Sequence, residues 1–170
     1  AKGLLNEAIA DPNPVLFFEH KALYRSSYQD VAKAYYRLEL GKAATLQSGT
    51  DCTIISYGMG VHWALDFAKE NPNYSIEIID LRTLSPIDWP LLIESVNKTS
   101  RCLVLQEDVT TGGIGSDIVR HLQKECFKAL DAPIAFVASL DTPVPFASKL
   151  EERYLGNYRL QESFDELMSF

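Results

Sequence analysis

The sequence predicts an α/β fold in which a mostly parallel sheet is covered by helices on both faces. Short, dense apolar runs recur from residue 53 onward, separated by stretches of about a dozen residues with helical periodicity. The runs are apolar at successive positions, as in strands buried on both faces. The stretch from Arg101 to Leu130 holds a complete strand–turn–helix unit: the run Cys102-Leu103-Val104-Leu105, the turn Gly112-Gly113-Ile114-Gly115, then a helix with Ile118, Val119, Leu122, Cys126 and Leu130 along one side.

Taken in order, residues 2–10 suit a short helix ended by Asp11-Pro12-Asn13-Pro14. Val15-Leu16-Phe17-Phe18 reads as a buried-type strand. From Lys21 to Gly49 the charge is mixed, four tyrosines occur (Tyr24, Tyr28, Tyr35, Tyr36) and no apolar period is sustained, so this is expected to be a linker lying over a surface. Leu38–Ala43 suggests a short extended piece, and Gln47–Asp51 a turn after which the regular domain begins. Thr53–Tyr57 is a strand turned by Gly58 and Gly60, and Val61, Ala64, Leu65 and Ala68 mark a helix stopped by Asn71-Pro72. Ile76–Asp80 is the next strand. Asp88 is expected to cap a helix with Pro90 in its first turn, where a missing N–H costs nothing, and with Leu92 and Val96 inward. Ile134–Val137 is the last strand. Thr142-Pro143-Val144-Pro145 cannot extend a central strand, because two of its residues lack N–H groups. Leu160, Phe164 and Leu167 indicate a closing helix.

With 170 residues, 46% apolar and 23% charged, the chain is well-cored and has room for one ordinary domain plus extra segments. No apolar run approaches the roughly 20 residues that span a bilayer, and the start shows no signal-peptide pattern. Cys52, Cys102 and Cys126 each sit in an apolar run, which points to small buried thiols and a reducing, cytoplasmic setting. Residues 51–170 hold 18 acids against 10 lysines and arginines, a balance of −8, while residues 1–50 are close to neutral. That balance argues against nucleic acid or an anionic membrane and favours a basic protein surface as partner.

The glycine turn precedes a helix, and free N–H groups at a helix N-terminus attract anions. Against phosphate, no Lys-Ser or Lys-Thr pair follows, the G-x-G-x-x-G spacing is missing, and Glu107 and Asp108 stand just before the turn. The favoured reading is a tight turn that lets another backbone approach closely. A place beside an active site supplied by other chains is the remaining alternative. His62 and His121 fall beside apolar stripes and read as rim residues. His20 and Glu19 are adjacent on an expected strand, hence on opposite faces, and read as structural, as do Asp80 and Arg82. Trp63 and Phe67 form a second apolar edge on the first sheet-covering helix, which suggests a covered interface. No nucleophile elbow and no metal-ligand spacing occurs, so no catalytic or metal-binding residue is assigned.

In series, DPNPVLFFEHKALYRSSY, SYGMGVHWAL, IEIIDLRTLSPID, GGIGSDIV, DAPIAFVASLDTPVPF and the closing helix before Phe170 resemble one family. They are similar to the carboxy-terminal half of β-type subunits of thiamine-diphosphate-dependent 2-oxoacid dehydrogenases, a group that includes the branched-chain (2-oxoisovalerate), pyruvate and acetoin enzymes. The likeness spans essentially the whole chain and is most like the branched-chain type. DLRTL-x-P-x-D and D-T-P-x-P specify the superfamily rather than the substrate, and EHKALYRS resembles a version with both subunits fused. Gln106 departs from the family, which often has histidine before the glutamate.

The resemblance implies a transketolase carboxy-terminal domain from about Asp51 to 170, a three-layer α/β/α fold with a mostly parallel five-stranded sheet. Residues 1–20 would be the tail of a preceding pyrimidine-binding domain and residues 21–50 the interdomain linker. Thiamine diphosphate and magnesium would belong to the full enzyme, with none expected on this piece, which would be catalytically silent alone. The implied roles are association with other dehydrogenase subunits or domains, including a homodimer contact, and docking of the small basic subunit-binding domain of a dihydrolipoyl acyltransferase. Gly112, Gly113, Ile114 and Gly115, with Pro143, Pro145 and Phe146 of the Thr142–Phe146 stretch, are the expected subunit contact. Asp131 and Phe170 are carried over as docking residues. Two rivals remain: the equivalent domain of a deoxyxylulose-phosphate synthase or transketolase, and an independent flavodoxin-type phosphate- or nucleotide-binding domain.

Overall fold

A computed structural model describes all 170 residues. Strands β2 (Cys52–Ser56), β3 (Ile76–Asp80), β4 (Cys102–Val109) and β5 (Ala135–Ser139) run parallel in one sheet. A fifth strand, β1 (Ala44–Gln47), pairs antiparallel with β3 at the edge, giving the order β1-β3-β2-β4-β5. Helices α3 (Met59–Glu70), α4 (Trp89–Thr99) and α5 (Ile114–Glu125) make the crossovers, and α7 (Leu160–Met168) closes the chain. This is the expected three-layer arrangement.

Strand alternation sorts the core into two halves. Cys52, Ile54, Ile76, Ile78, Leu103 and Leu105 face α3 and α7, where they meet Ala64, Phe67, Leu160, Phe164 and Leu167. Ile55, Ile79, Cys102 and Val104 face α4 and α5, against Leu92, Val96, Ile118 and Leu122. The Phe164 ring takes Phe67 and Tyr74 edge-on, at centroid separations of 5.0 and 5.1 Å. Phe67 is therefore covered by the chain's own closing helix, which corrects the expectation that the Trp63–Phe67 edge marks an interface.

One polar seam is buried on the α4 side. Thr53 Oγ1 lies 2.7 Å from both the Ser95 and Thr99 hydroxyls, and Glu77 accepts hydrogen bonds from Ser95 and Lys98. Burial alone would push the Glu77 carboxyl up; the Lys98 ammonium, the Ser95 hydroxyl and the Gly49 N–H outweigh it and hold the group below its usual range.

Several elements differ from expectation. Val15–Phe18 pairs with no strand, although β1 and β5 each leave one edge of the sheet open, and Leu16 and Phe18 stand in solvent. The extended piece expected at Leu38–Ala43 lies just beyond it, at β1, within the stretch read as linker and turn. Asp88 precedes α4 without a side-chain cap; its carboxylate accepts the Ala43 N–H at 3.1 Å instead and fixes the approach to β1. Helices α2 (Leu23–Ser26) and α6 (Ser148–Tyr154), and a 3-10 turn at Gly156–Arg159, add to the sequence reading.

Helix α1 (Lys2–Ala10) packs on residues 32–38 and away from the sheet. Lys2 Nζ donates to the carbonyls of Ala32, Lys33 and Ala34, Asn6 donates to the Tyr36 carbonyl, and Arg37 pairs with Glu7 at 3.2 Å. Residues 11–31 form an exposed loop between these two clasped pieces.

Candidate functional site

The C-terminal ends of the strands gather most of the singled-out residues. The helix after β2 crosses one face and the helix after β4 the other, so the gap between their ends is the topological switch point, where sheets of this type usually receive ligands. The register Ile55↔Val104 carries Tyr57 alongside Gln106, with Glu107 and Asp108 following.

Gln106 organises the glycine turn. It is fully buried; its Nε2 donates to the Val109 carbonyl at 2.6 Å and its Oε1 accepts the Gly115 N–H at 2.8 Å. A Cβ on Gly113 would lie 2.2 Å from Gln106 Nε2, and one on Gly115 would lie 2.4 Å from the Phe136 ring. Gly112 adopts φ +78°, the left-handed region where glycine is unstrained. The turn is tight as expected, and it is approached by the Gln106 side chain, the Phe136 ring and the Val109 backbone carbonyl, which would lie 2.9 Å from a Cβ on Gly113. A polar residue inside an apolar strand was the available signal, and spacing rules pass over it.

The structure brings the two expected contact segments together. Asp141 accepts the Thr111 N–H at 2.9 Å and its hydroxyl at 2.7 Å, and these bonds hold the Asp141 carboxyl below the usual carboxylate range. Gly112 is exposed, Ile114 and Pro145 are half-buried, Gly113 and Gly115 are buried, and Pro143, Val144 and Phe146 are exposed, Phe146 completely. The joined turns present an apolar ridge to solvent.

His20 also reaches this end. Its Nε2 lies 2.9 Å and 3.2 Å from the two Glu107 carboxylate oxygens, while Glu19 takes the Tyr24 hydroxyl at 2.6 Å. The partner of His20 is thus 87 positions away rather than its neighbour. Tyr57 is half-buried, and burial, reinforced by Asp108 and Glu107, pushes its phenol up. Burial likewise raises the Asp80 carboxyl, although the Arg82 N–H bonds it at 3.0 Å. His62 is half-buried, and His121 stacks on Trp89 with centroids 3.9 Å apart.

The opposite end carries the expected docking residues. Asp131 precedes β5, is exposed, and has one cation nearby, Arg101 at 3.7 Å. Helix α7 packs along β5, the turn at Gly156 abuts Ala138, and Leu167 belongs to the same buried cluster as Ala132, the residue after Asp131. Phe170 and Phe127 are both exposed; Phe127 was not singled out from the sequence. No group of three or more His, Cys, Asp or Glu residues is placed to hold a metal ion. The three thiols are free and buried, with Cys52 pushed up to about 12 by burial.

Comparison with known proteins adds family relationships to this geometry. The profile of the family "Transketolase, C-terminal domain" matches residues 41–158. The chain is 44% identical over 161 residues to the pyruvate dehydrogenase E1 component subunit beta of Bacillus subtilis, covering 94% of this chain and 49% of that protein. It is 41% identical over 159 residues to the same subunit of Rhizobium meliloti, covering 92% and 35%. It is 39% identical over 174 residues to the 2-oxoisovalerate dehydrogenase subunit beta of Bacillus subtilis, covering 100% and 53%. Among solved structures, a split-gene transketolase described as an inactive beta4 tetramer superposes with a TM-score of 0.64 at 25% identity, over 83% of this chain and 46% of that one. The chain thus spans about half the length, or less, of the curated relatives it matches.

Proposed function

Because this chain belongs to the transketolase C-terminal domain family and is homologous to β-type subunits of 2-oxoacid dehydrogenases, we propose that it is their assembly and docking domain. The whole enzyme would decarboxylate a 2-oxoacid oxidatively and pass the acyl group to a lipoyl carrier. The observation that carries the assembly role is the Asp141–Thr111 clamp, which locks the glycine turn to the 142–146 loop and turns Val144 and Phe146 outward. An apolar ridge on a rigid base suits a permanent contact with another subunit or a second copy.

Thiamine diphosphate and magnesium belong, in this reading, to parts of the enzyme outside these residues. The switch point bears Glu107 and Asp108, which disfavour a diphosphate, and His20 already lies against Glu107. A branched-chain substrate is supported by the match to the 2-oxoisovalerate dehydrogenase subunit, which takes in the whole of this chain; pyruvate is the second reading, supported by identities of 41 and 44%. The free, buried thiols suit a cytoplasmic setting.

The second role is docking of a basic subunit-binding domain from a dihydrolipoyl acyltransferase at Asp131 and Phe170. The balance of −8 over residues 51–170 steers such a partner. Calorimetry with that domain at low and moderate salt tests it. Salt-sensitive binding that Asp131→Lys removes is expected; no binding at low salt, or binding indifferent to Asp131→Lys, overturns this docking site.

A further inference from the structure

Residues 11–31 leave the clasp of α1 and residues 32–38, cross to the sheet and return, and a single polar contact meets them there. Of all hydrogen bonds and ion pairs, only His20–Glu107 joins residues 1–37 to residues 44–170. The contact falls at the switch point, beside Tyr57 and Asp108. The remaining ring nitrogen, Nδ1, is buried without a partner, so Nε2 is the imidazole's one anchor.

We propose that His20 and Glu107 are a positioning pair that seats the 11–31 loop across the mouth of the β2/β4 crevice, so that the chain's own imidazole occupies the ligand position of a doubly wound sheet. Two acids at the crevice make a cation-compatible donor such as imidazole the fitting occupant and an anion an unfitting one. Glu107 is well placed to act this way because Ser139 Oγ donates to its backbone carbonyl at 2.5 Å, tying it to β5. This inference goes beyond the assembly reading and does not depend on it.

Limited trypsin digestion of the 170-residue chain, followed site by site by mass spectrometry, tests the pair. Lys21 and Arg25 follow His20 and are exposed, whereas Lys33 lies in the stretch that α1 clasps through Lys2. His20→Ala and Glu107→Ala are each expected to speed cleavage after Lys21 and Arg25 roughly three- to tenfold, the range a hydrogen bond of ordinary net strength corresponds to. Cleavage after Lys33 and the melting temperature should stay as in the parent chain, and the double variant should match the singles, because the two residues form one contact. Asp117→Ala, which removes an exposed acid paired with Arg120 away from the crevice, is the control and should change nothing. Unchanged cleavage at Lys21 and Arg25 in either single variant overturns the proposal, as does equal acceleration at Lys33 or in Asp117→Ala.

Discussion

Ile54, Ile78, Leu103 and Phe164 in the sheet domain lose all contact with water, whereas Leu16, Phe18 and Tyr28 on the preceding loop keep 84, 88 and 86% of theirs exposed. Both regions are rich in large apolar side chains, so composition does not separate them. The sheet domain supplies two layers for its strands to bury against. The loop supplies none, and its strand-like run pairs with no edge of the sheet. Apolar character in the first region is spent on folding, and in the second it is left available to something outside the chain.

The widest gap between the two regions is expected from matched truncations. Phe164→Ala removes a ring held by Phe67 and Tyr74 and should cost about 3–5 kcal/mol in urea unfolding. Phe18→Ala should leave the unfolding midpoint unchanged; a comparable loss there would mean the loop is part of the core. A smaller effect is expected at the glycine turn. Gly115→Ala drives a Cβ to 2.4 Å from Phe136 and 2.6 Å from Gln106 Oε1, and should cost about 1–3 kcal/mol by the same measurement.

The pH dependence should come from the sheet domain as well. The Glu77 carboxyl lies below its usual range in the folded state, so its contribution is complete above the ordinary glutamate range, about 4.3, and is lost as pH falls through the lower folded value. Lys98→Met removes the main group that offsets burial and should shrink that acid-side loss, measured as thermal stability between pH 7 and pH 3. The smallest expected signal is from the thiols. Cys52, Cys102 and Cys126 are buried and their thiols are raised by burial, so a disulfide reagent should modify them only as fast as the domain opens. Rapid labelling would show a core looser than its packing implies.

Strands β2, β3 and β4 were legible because Ile54-Ile55, Ile78-Ile79 and Cys102 to Leu105 place apolar side chains at successive positions, as a strand covered on both faces requires. Strand β1 was not: Ala44-Thr45-Leu46-Gln47 sits at an edge and buries little, so its sequence carries no core signature. Val15–Phe18 misled in the opposite sense, since a strand-like run says nothing about whether it pairs with an edge in the same chain. At the candidate site, the glycines and the D-T-P-x-P segment were visible as local motifs. Their joining through Thr111 and Asp141 and the His20–Glu107 contact depend on residues far apart in sequence, where spacing carries no information, while the Gln106 brace is local but follows no motif.

Hydrogen exchange read peptide by peptide on the intact 170-residue chain tests the contrast between the two regions most directly. Amides of β2, β3 and β4 are expected to exchange only through global unfolding, while those of residues 11–31, apart from the few around His20, exchange within seconds. A loop protected as strongly as the strands, or strands exchanging as fast as the loop, would contradict it.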